Sequence, residues 1–599
     1  VGYPTDCPHR EKNGWTGDGH LTVEIGLFNY NSITTYEKWM QDHQDAQLSS
    51  GNLPDIIPTS GWHANGQFDW TVSAILIPWN VYLFTGTERI IKENYEMMED
   101  FMQYWQSQSK NYLISGGYGD WQEPQIKSSK TLISSLRYFQ AAQYMTKMSK
   151  VVNNSACEVK YENLANDIKK SINKTYFKEE EGYYASGTQL EQSLPLELGI
   201  VTDEHVSTVT AQLLKSIENE GIALKSGVLG AKSIPITLSM FDLEEVAFQL
   251  ASRTEKPSWG YWIKNGATTL REGWGLGGSG NHAYFGTIST WFFRVLGGIN
   301  PLDDYPGFER LALRPFIPKD LDFVNTAHNS PVGLIISNWK KNGSKVEHEI
   351  QIPGSSTGYY QVPKAYNYNQ VLSSNSNDSY RPFMINKGLF QFGGGHYVLE
   401  LFSKDTTINQ LNILFDGYNI DTYPEKLQHD TNNVNIKLTL EKDSNDSVIY
   451  EIVYQYPEEL STFSIDGDIL SLSHQQLPDT DSLYQVIIGA TKNDKYVEEY
   501  FNVYRDEYYD SLFLLVNMNP PFSFPNPTQD VLFVNLKDNI CEDLVYDVFD
   551  LSGKKFFCPM NLSVDNQLEL NVSSLEQGFY ILKISIDKKV ESLKFYKEH

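Results

Sequence analysis

Five residues in one short span have the types that sugar chemistry needs. The string Asp6-Cys-Pro-His-Arg10-Glu11-Lys-Asn-Gly-Trp15-Thr-Gly-Asp18 sets three acids beside one arginine and one tryptophan. Its proline and two glycines argue against a regular helix, so it reads as a shaped loop. Gly119-Asp120-Trp121 repeats the pairing of acid and indole. A third cluster, Gly266-Ala-Thr-Thr-Leu-Arg-Glu272-Gly-Trp274, is followed by Asn281-His282. A tryptophan face stacks on the apolar face of a sugar ring, while Asp, Arg and His hold hydroxyls. Glycoside cleavage needs two carboxyl groups with separate roles. One protonates the leaving oxygen and the other activates water or attacks. The residues by themselves leave the bland roles open: a tryptophan as core, a loop carboxylate as a helix cap or a solvated group.

Other chemistries find little support. No two of the 12 histidines lie within five residues of each other, which excludes an HExxH-type metal pair. There is no P-loop. Gly275-Leu-Gly277-Gly-Ser-Gly280 has the spacing of a dinucleotide loop, but it follows Trp274 rather than a strand, which is the wrong context. The expectation is no cofactor and no metal, with a structural Ca²⁺ in an Asp-rich loop left open. Lys and Arg total 48 against 75 Asp and Glu, a net charge of −27, so phosphate backbones and anionic lipid are poor partners.

These loops need a scaffold, and the 599-residue chain has length for several domains. Eleven of its twelve tryptophans lie at or before Trp291, and only Trp339 follows. Helical patterns fill the region before that boundary: 21–47, 71–84, 88–106, 132–152, 161–176, 204–218, 238–252 and 287–296. Many helices with short connections predict stacked antiparallel hairpins, as a bundle or a toroid. Alternating runs such as Gly333-Leu-Ile-Ile-Ser-Asn-Trp339 and Val346-Glu-His-Glu-Ile-Gln-Ile352 predict strands beyond it. The expected domains are a helical domain over 1–298, a β-sandwich over 299–403, a β-rich module of unknown role over 404–519, and a last β domain over 520–599. Asn519-Pro520-Pro521 marks that final boundary. The apolar run 74–84 is broken by Pro78 and Asn80 and is too short to span a bilayer. Four cysteines make no disulfide scaffold, and a Cys541–Cys558 pair stays open. The sequence opens at Val1 and shows no signal peptide; an N-terminal portion is expected to be missing.

The string Thr5-Asp-Cys-Pro-His-Arg-Glu-Lys through Gly14-Trp-Thr-Gly-Asp18 resembles the signature of the bacterial α-L-rhamnosidases, glycoside hydrolase family 78. Later segments keep the family's order. They are Trp70 with Ser73-Ala-Ile-Leu-Ile-Pro-Trp79, Gly119-Asp-Trp121, Pro257-Ser-Trp-Gly-Tyr261, Gly266-Ala-Thr-Thr269 with Glu272, and Asn281-His282-Ala-Tyr-Phe-Gly286. Pro306-Gly-Phe308 to Pro318, with Ser330-Pro-Val-Gly333, resembles the β-sandwich that follows the family's catalytic domain.

The resemblance implies an (α/α)6 six-hairpin barrel and an inverting mechanism. By motif, Glu11 aligns with the general acid and Glu272 with the general base. Asp6, Arg10 and Asp18 align with groups that hold rhamnose hydroxyls, and His282 with a further polar contact. Trp15, Trp70 and Trp121 align with the walls of the sugar pocket, Trp15 being the candidate surface for the rhamnose methyl. Two roles are open to Asp120: capping a helix or touching sugar. Arg10 is expected to face the sugar or Asp6, because beside Glu11 it would oppose protonation of the acid. Members of the family normally carry a further helix and β-domains before the first motif.

The segments Asn526-Pro-Thr-Gln-Asp-Val-Leu532, Val545-Tyr-Asp-Val-Phe-Asp-Leu-Ser-Gly-Lys554 and Leu575-Glu-Gln-Gly-Phe-Tyr-Ile-Leu-Lys583 resemble a type IX secretion C-terminal sorting domain. That implies a Bacteroidetes-type bacterium, export across the outer membrane by the secretion machinery, and a released or surface-anchored product. The function expected from both resemblances is a secreted exo-α-L-rhamnosidase acting on rhamnose-containing polysaccharides or glycosides. The rivals are another inverting toroid glycosidase and a non-catalytic glycan-binding protein.

Overall fold

The computed structural model describes residues 3–403 except 60, 125, 375–382 and 387, and beyond them the strands of 413–597 with a few flanking residues; side chains are described over most of 3–366 and 388–401 and at isolated later positions. The chain forms two compact units, 1–401 and 402–599.

Burial sorts the helices of the first unit into two kinds. Ser73–Thr85 buries ten of its thirteen residues. Thr16–Asn29, Lys130–Val151, Gln189–Glu197 and Val228–Met240 are likewise buried on most sides. The other kind buries a single stripe, such as Ile90, Ile91, Met97, Met98, Phe101 and Trp105 of Arg89–Gln108. Ile33–Ala46, Ser155–Tyr176, Asp203–Glu218 and Glu244–Ser252 follow that pattern. The two kinds alternate along the chain, which makes each pair a helical hairpin. The buried helices touch one another in chain order, and Ile288–Trp291 packs against both Val228–Met240 and Thr16–Asn29. Among the described residues, six buried helices therefore close a ring with the amphipathic helices outside. This is the six-hairpin (α/α) barrel.

Local signals fix the helix starts. Ser129 accepts from the Leu132 amide, Asn154 from Cys157, and Thr188 with Glu191 forms a reciprocal capping box. Several expected elements differ. The span read as one helix over 21–47 is two, because Tyr30 takes an extended backbone and turns the chain. The span 238–252 breaks where Asp242 adopts a φ of 63°. The span 287–296 is a short α turn, Ile288–Trp291, flanked by the 3-10 turn Tyr284–Thr287 and the π turn Phe292–Leu296. Gln189–Glu197 carried no apolar period and was not expected as a helix.

Two five-stranded sheets follow the barrel. One runs Phe383–Asn386, Leu389–Phe392, Thr357–Gln361, Arg310–Leu313, Ile299–Pro301. The other runs Phe323–Ser330, Gly333–Asn342, Lys345–Ile352, Gly395–Ser403, Tyr366–Ser374. Trp339 pairs with His348 across the strands expected from the alternating runs, and both side chains are buried. Phe28 of the barrel stacks on Phe293 at 4.6 Å and meets His328 of the sandwich edge to face at 5.2 Å. Trp339 Nε1 donates to the Leu296 carbonyl at 2.8 Å. These contacts fasten the sandwich to the barrel.

Among the described residues the second unit is all antiparallel sheet. It holds a four-stranded and a five-stranded sheet over 413–516, then two four-stranded sheets over 523–597. Val548, Cys558, Leu570, Val572, Leu575 and Leu582 are buried there. Cys541, left open as a partner for Cys558, lies outside the described residues. Among the described residues no helix is long and apolar enough to cross a membrane.

Candidate active site

The first loop is stapled from within. Asp6 accepts from the Cys7 thiol at 2.8 Å through Oδ2 and from the Asn13 amide at 2.9 Å through Oδ1. The Cys7 sulfur in turn accepts from the Glu11 amide at 3.3 Å. Asp6 is almost completely buried, so both of its oxygens serve the loop that presents Glu11. Trp15, just before the helix Thr16–Asn29, donates from Nε1 to Glu11 Oε2 at 2.9 Å and aims that carboxylate.

A second loop brings Glu272. The His282 amide donates to the Leu270 carbonyl at 3.1 Å, and the Glu272 amide to the Ser279 carbonyl at 3.1 Å, so the strap folds back on itself. The Ser279 amide holds Glu272 Oε2 at 3.0 Å, and the Tyr284 hydroxyl donates to the Glu272 carbonyl. Gly278 is required here: its φ is +76°, and a Cβ would lie 3.2 Å from Glu272 Oε2. The glycine-rich string is therefore the turn that wraps Glu272.

The two loops meet at one cation. Arg10 Nη2 is 3.0 Å from Glu11 Oε1 and 3.0 Å from Glu272 Oε2. The bridged oxygens can be at most twice that distance apart. This differs from the expected orientation toward sugar or Asp6. Asp6 is already satisfied inside its loop, and two carboxylates converging from opposite ends of the ring attract the guanidinium more strongly. Arg10 remains half exposed.

Asp18, in the first turn of Thr16–Asn29, lies 3.0 Å from His282 Nε2. Burial pushes its carboxyl above the usual range, against the pull of His282. His282 is also buried, and its Nδ1 has no hydrogen-bond partner among the described residues. Among the described residues one group could bring three ligand atoms to a metal: Asp6, Cys7 and His282, within 4.8 Å of one another. Asp6 and Cys7 are already bonded to each other there.

Aromatic rings make the wall. Trp70 is buried under the first helix, so close that a Cβ on Gly17 would lie 2.3 Å from its ring. Tyr118 joins Trp70 at 4.9 Å, Trp15 at 6.2 Å and Trp121 at 6.5 Å. Trp121 is exposed. Its neighbour Asp120 is a cap: it accepts from the Ser226 hydroxyl and from the Gly227, Leu229 and Gly230 amides at the start of Val228–Met240. The structure thus brings Arg10, Glu11, Trp15 and Glu272 together, with Asp18 and His282 paired beside them.

Four residues of this region were missed in the sequence. Tyr118 donates to Asp55 Oδ2 at 2.7 Å and lies 2.9 Å from His63 Nδ1. Burial raises both the Asp55 carboxyl and the Tyr118 hydroxyl. His63 contacts Trp15 at 4.9 Å and Trp62 at 4.6 Å. The available signal was Tyr118, directly before Gly119-Asp120-Trp121; Asp55, Trp62 and His63 carried none.

Residues 1–296 match the family model of the bacterial alpha-L-rhamnosidase 6 hairpin glycosidase domain, and residues 298–376 that of the bacterial alpha-L-rhamnosidase C-terminal domain. Residues 1–376 therefore carry the two consecutive domains of the bacterial α-L-rhamnosidase family. Residues 523–598 match a secretion system C-terminal sorting domain. An alpha-L-rhamnosidase of Formosa agariphila is 26% identical over 380 residues, covering 60% of this chain and 41% of that protein. One from Alteromonas sp. is 25% identical over 422 residues, covering 66% of this chain and 45% of that protein. The chain thus spans less than half the length of these relatives. Among solved structures, an alpha-L-rhamnosidase from Dictyoglumus thermophilum superposes with a TM-score of 0.62 at 29% identity, over 67% of this chain and 47% of that one. A Streptomyces avermitilis alpha-L-rhamnosidase complexed with L-rhamnose shares the fold, with a TM-score of 0.61 at 24% identity over 66% of this chain and 39% of that one.

Proposed function

We propose that this chain is an exported, inverting exo-α-L-rhamnosidase that removes terminal rhamnose from a polysaccharide or glycoside. One observation carries the reading. Glu11 and Glu272, 261 residues apart in sequence, face one another across Arg10 beside an aromatic wall. Glu11, aimed by Trp15, is the acid that protonates the departing oxygen. Glu272, held by the Ser279 amide, is the base that takes a proton from the attacking water. Arg10, Asp18 and His282 hold hydroxyls; Trp15, Trp70 and Trp121 wall the sugar.

Inversion asks for carboxyl groups roughly 6.5–9.5 Å apart, with a water between them and the sugar. The Arg10 bridge draws one oxygen of each carboxylate together, so inversion requires Arg10 to exchange a carboxylate for a sugar hydroxyl and the two acids to part for the water. The sorting domain supports export, with the tail removed and the enzyme released or surface-anchored.

The test is hydrolysis of an aryl α-L-rhamnoside, followed by proton NMR of the first-formed anomer, with Glu11→Gln and Glu272→Gln alongside. The expected product is β-L-rhamnose, and each variant should lose roughly 10²–10⁴-fold in kcat/KM. Initial release of the α anomer, or a variant of normal activity, would overturn the assignment.

A further inference from the structure

Trp62 is one large apolar side chain near the site that the mechanism does not use. It is 55% exposed, although burying an indole is ordinarily favourable. Its ring meets Trp15 edge to face at 5.7 Å, so it extends the aromatic wall outward.

The wall has a direction. At one end Trp121 contacts Tyr118, whose ring also meets Trp15 at 6.2 Å. At the other end Trp62 leans on Trp15, whose Nε1 holds Glu11. Trp62 thus lies one ring beyond Trp15, which holds Glu11, whereas Trp121 reaches Trp15 only through Tyr118. Trp62 stands on the side of the acid. The group that Glu11 protonates leaves from that side.

The placement of Trp62 is enforced. His63 adopts a φ of +55°, a conformation disfavoured for a non-glycine residue. It is pinned there by Tyr118, by Asp55 at 3.5 Å, and by the Asp55 amide, which donates to the His63 carbonyl at 3.0 Å. On the other flank the Thr59 hydroxyl donates to the Trp62 carbonyl at 3.2 Å. A strained and well-anchored backbone thus holds an indole out in solvent beside the acid.

We propose that Trp62 is the platform of a leaving-group subsite that takes a ring with an apolar face, either a pyranose or an aryl ring. The inference rests on Glu11 being the general acid. It commits to a ring rather than a flexible or charged leaving group, because an indole face offers area and polarisability but no hydrogen-bond acceptor.

Trp62→Ala and Trp62→Phe are compared with the wild-type full chain on three substrates: methyl α-L-rhamnoside, 4-nitrophenyl α-L-rhamnoside and an α-L-rhamnosyl-glucose disaccharide. Inhibition by free L-rhamnose is measured alongside. Trp62→Ala should lose roughly tenfold in kcat/KM on a ring-bearing substrate. The methyl glycoside and rhamnose inhibition should stay within about twofold, and Trp62→Phe should recover most of the loss. Loss confined to the nitrophenyl arm or to the disaccharide arm identifies which ring the platform takes. An equal loss on all three substrates, weakened rhamnose inhibition, or no loss at all overturns the proposal. Should the wild type cleave none of them, the rhamnosidase reading fails, and calorimetric binding decides the subsite separately. A preference for nitrophenyl rhamnoside over rhamnose that Trp62→Ala abolishes supports it, and equal affinity in the wild type overturns it.

Discussion

Replacing Gly278 by alanine should damage the site while leaving the barrel folded. Its φ of +76° costs an L-residue roughly 1–2 kcal/mol. The added methyl would lie 3.2 Å from Glu272 Oε2 and 3.7 Å from Glu272 Cβ. The carboxylate must therefore yield by a few tenths of an ångström, against the Ser279 amide and Arg10 that hold the same oxygen. A misplacement of about 1 Å costs on the order of 10²-fold in rate, so a smaller shift should cost about tenfold in kcat/KM. Gly277→Ala is the internal control, because its Cβ meets nothing within 4 Å and its backbone is not left-handed. Both variants are assayed on an aryl α-L-rhamnoside and melted by calorimetry. Gly278→Ala should fall by about 2–4 °C and lose activity. Gly277→Ala should keep both. Unchanged activity in Gly278→Ala, or an equal loss in Gly277→Ala, would refute the argument that this turn sets the position of Glu272.

Asp120→Ala strips the start of Val228–Met240 of a carboxylate that accepts four hydrogen bonds, so stability should drop by roughly 3–5 kcal/mol; an unaltered melting temperature would sink the capping role. Asp69 is buried, which pushes its carboxyl up to about 7. Folding therefore favours its protonated form, and its contribution to stability is complete below about pH 4 and lost as pH rises through about 7. Urea unfolding of Asp69→Asn should have a flatter pH profile between those limits, by up to about 1.4 kcal/mol per pH unit; parallel profiles would exclude this group as the source.

The loop carrying Glu11 was legible because its chemistry is dense in sequence: the staple runs from Asp6 to Asn13 and the Trp15 bond from Trp15 to Glu11. The orientation of Arg10 was not legible, since it depends on Glu272, 262 residues away. His63 and Tyr118 meet across 55 residues, and nothing in either neighbourhood names the other. The outer helices Arg89–Gln108 and Asp203–Glu218 were readable from their stripe to within two residues at each end, whereas Ser155–Tyr176 begins six residues before its apolar period and Ile33–Ala46 and Glu244–Ser252 were fused to their neighbours. The inner helix Gln189–Glu197 was not readable. It is buried all round, carries Pro195, and satisfies Gln189, Glu191 and Gln192 through internal hydrogen bonds, so no apolar period survives. Tertiary packing overrides propensity there.

The acid-bearing loop leads into the first helix of the inner ring, and the strap carrying Glu272 leads into the last. Those two helices are neighbours only because the ring closes on itself. The two carboxylates proposed as acid and base therefore straddle the seam of a circle. Bringing the ends of so long a loop together carries an entropic cost that no local contact offsets, so the seam exists only once the intervening hairpins are in place. Under the proposed function, turnover would report on closure: a chain with most of its helices formed but its ring still open holds half of the site at each end.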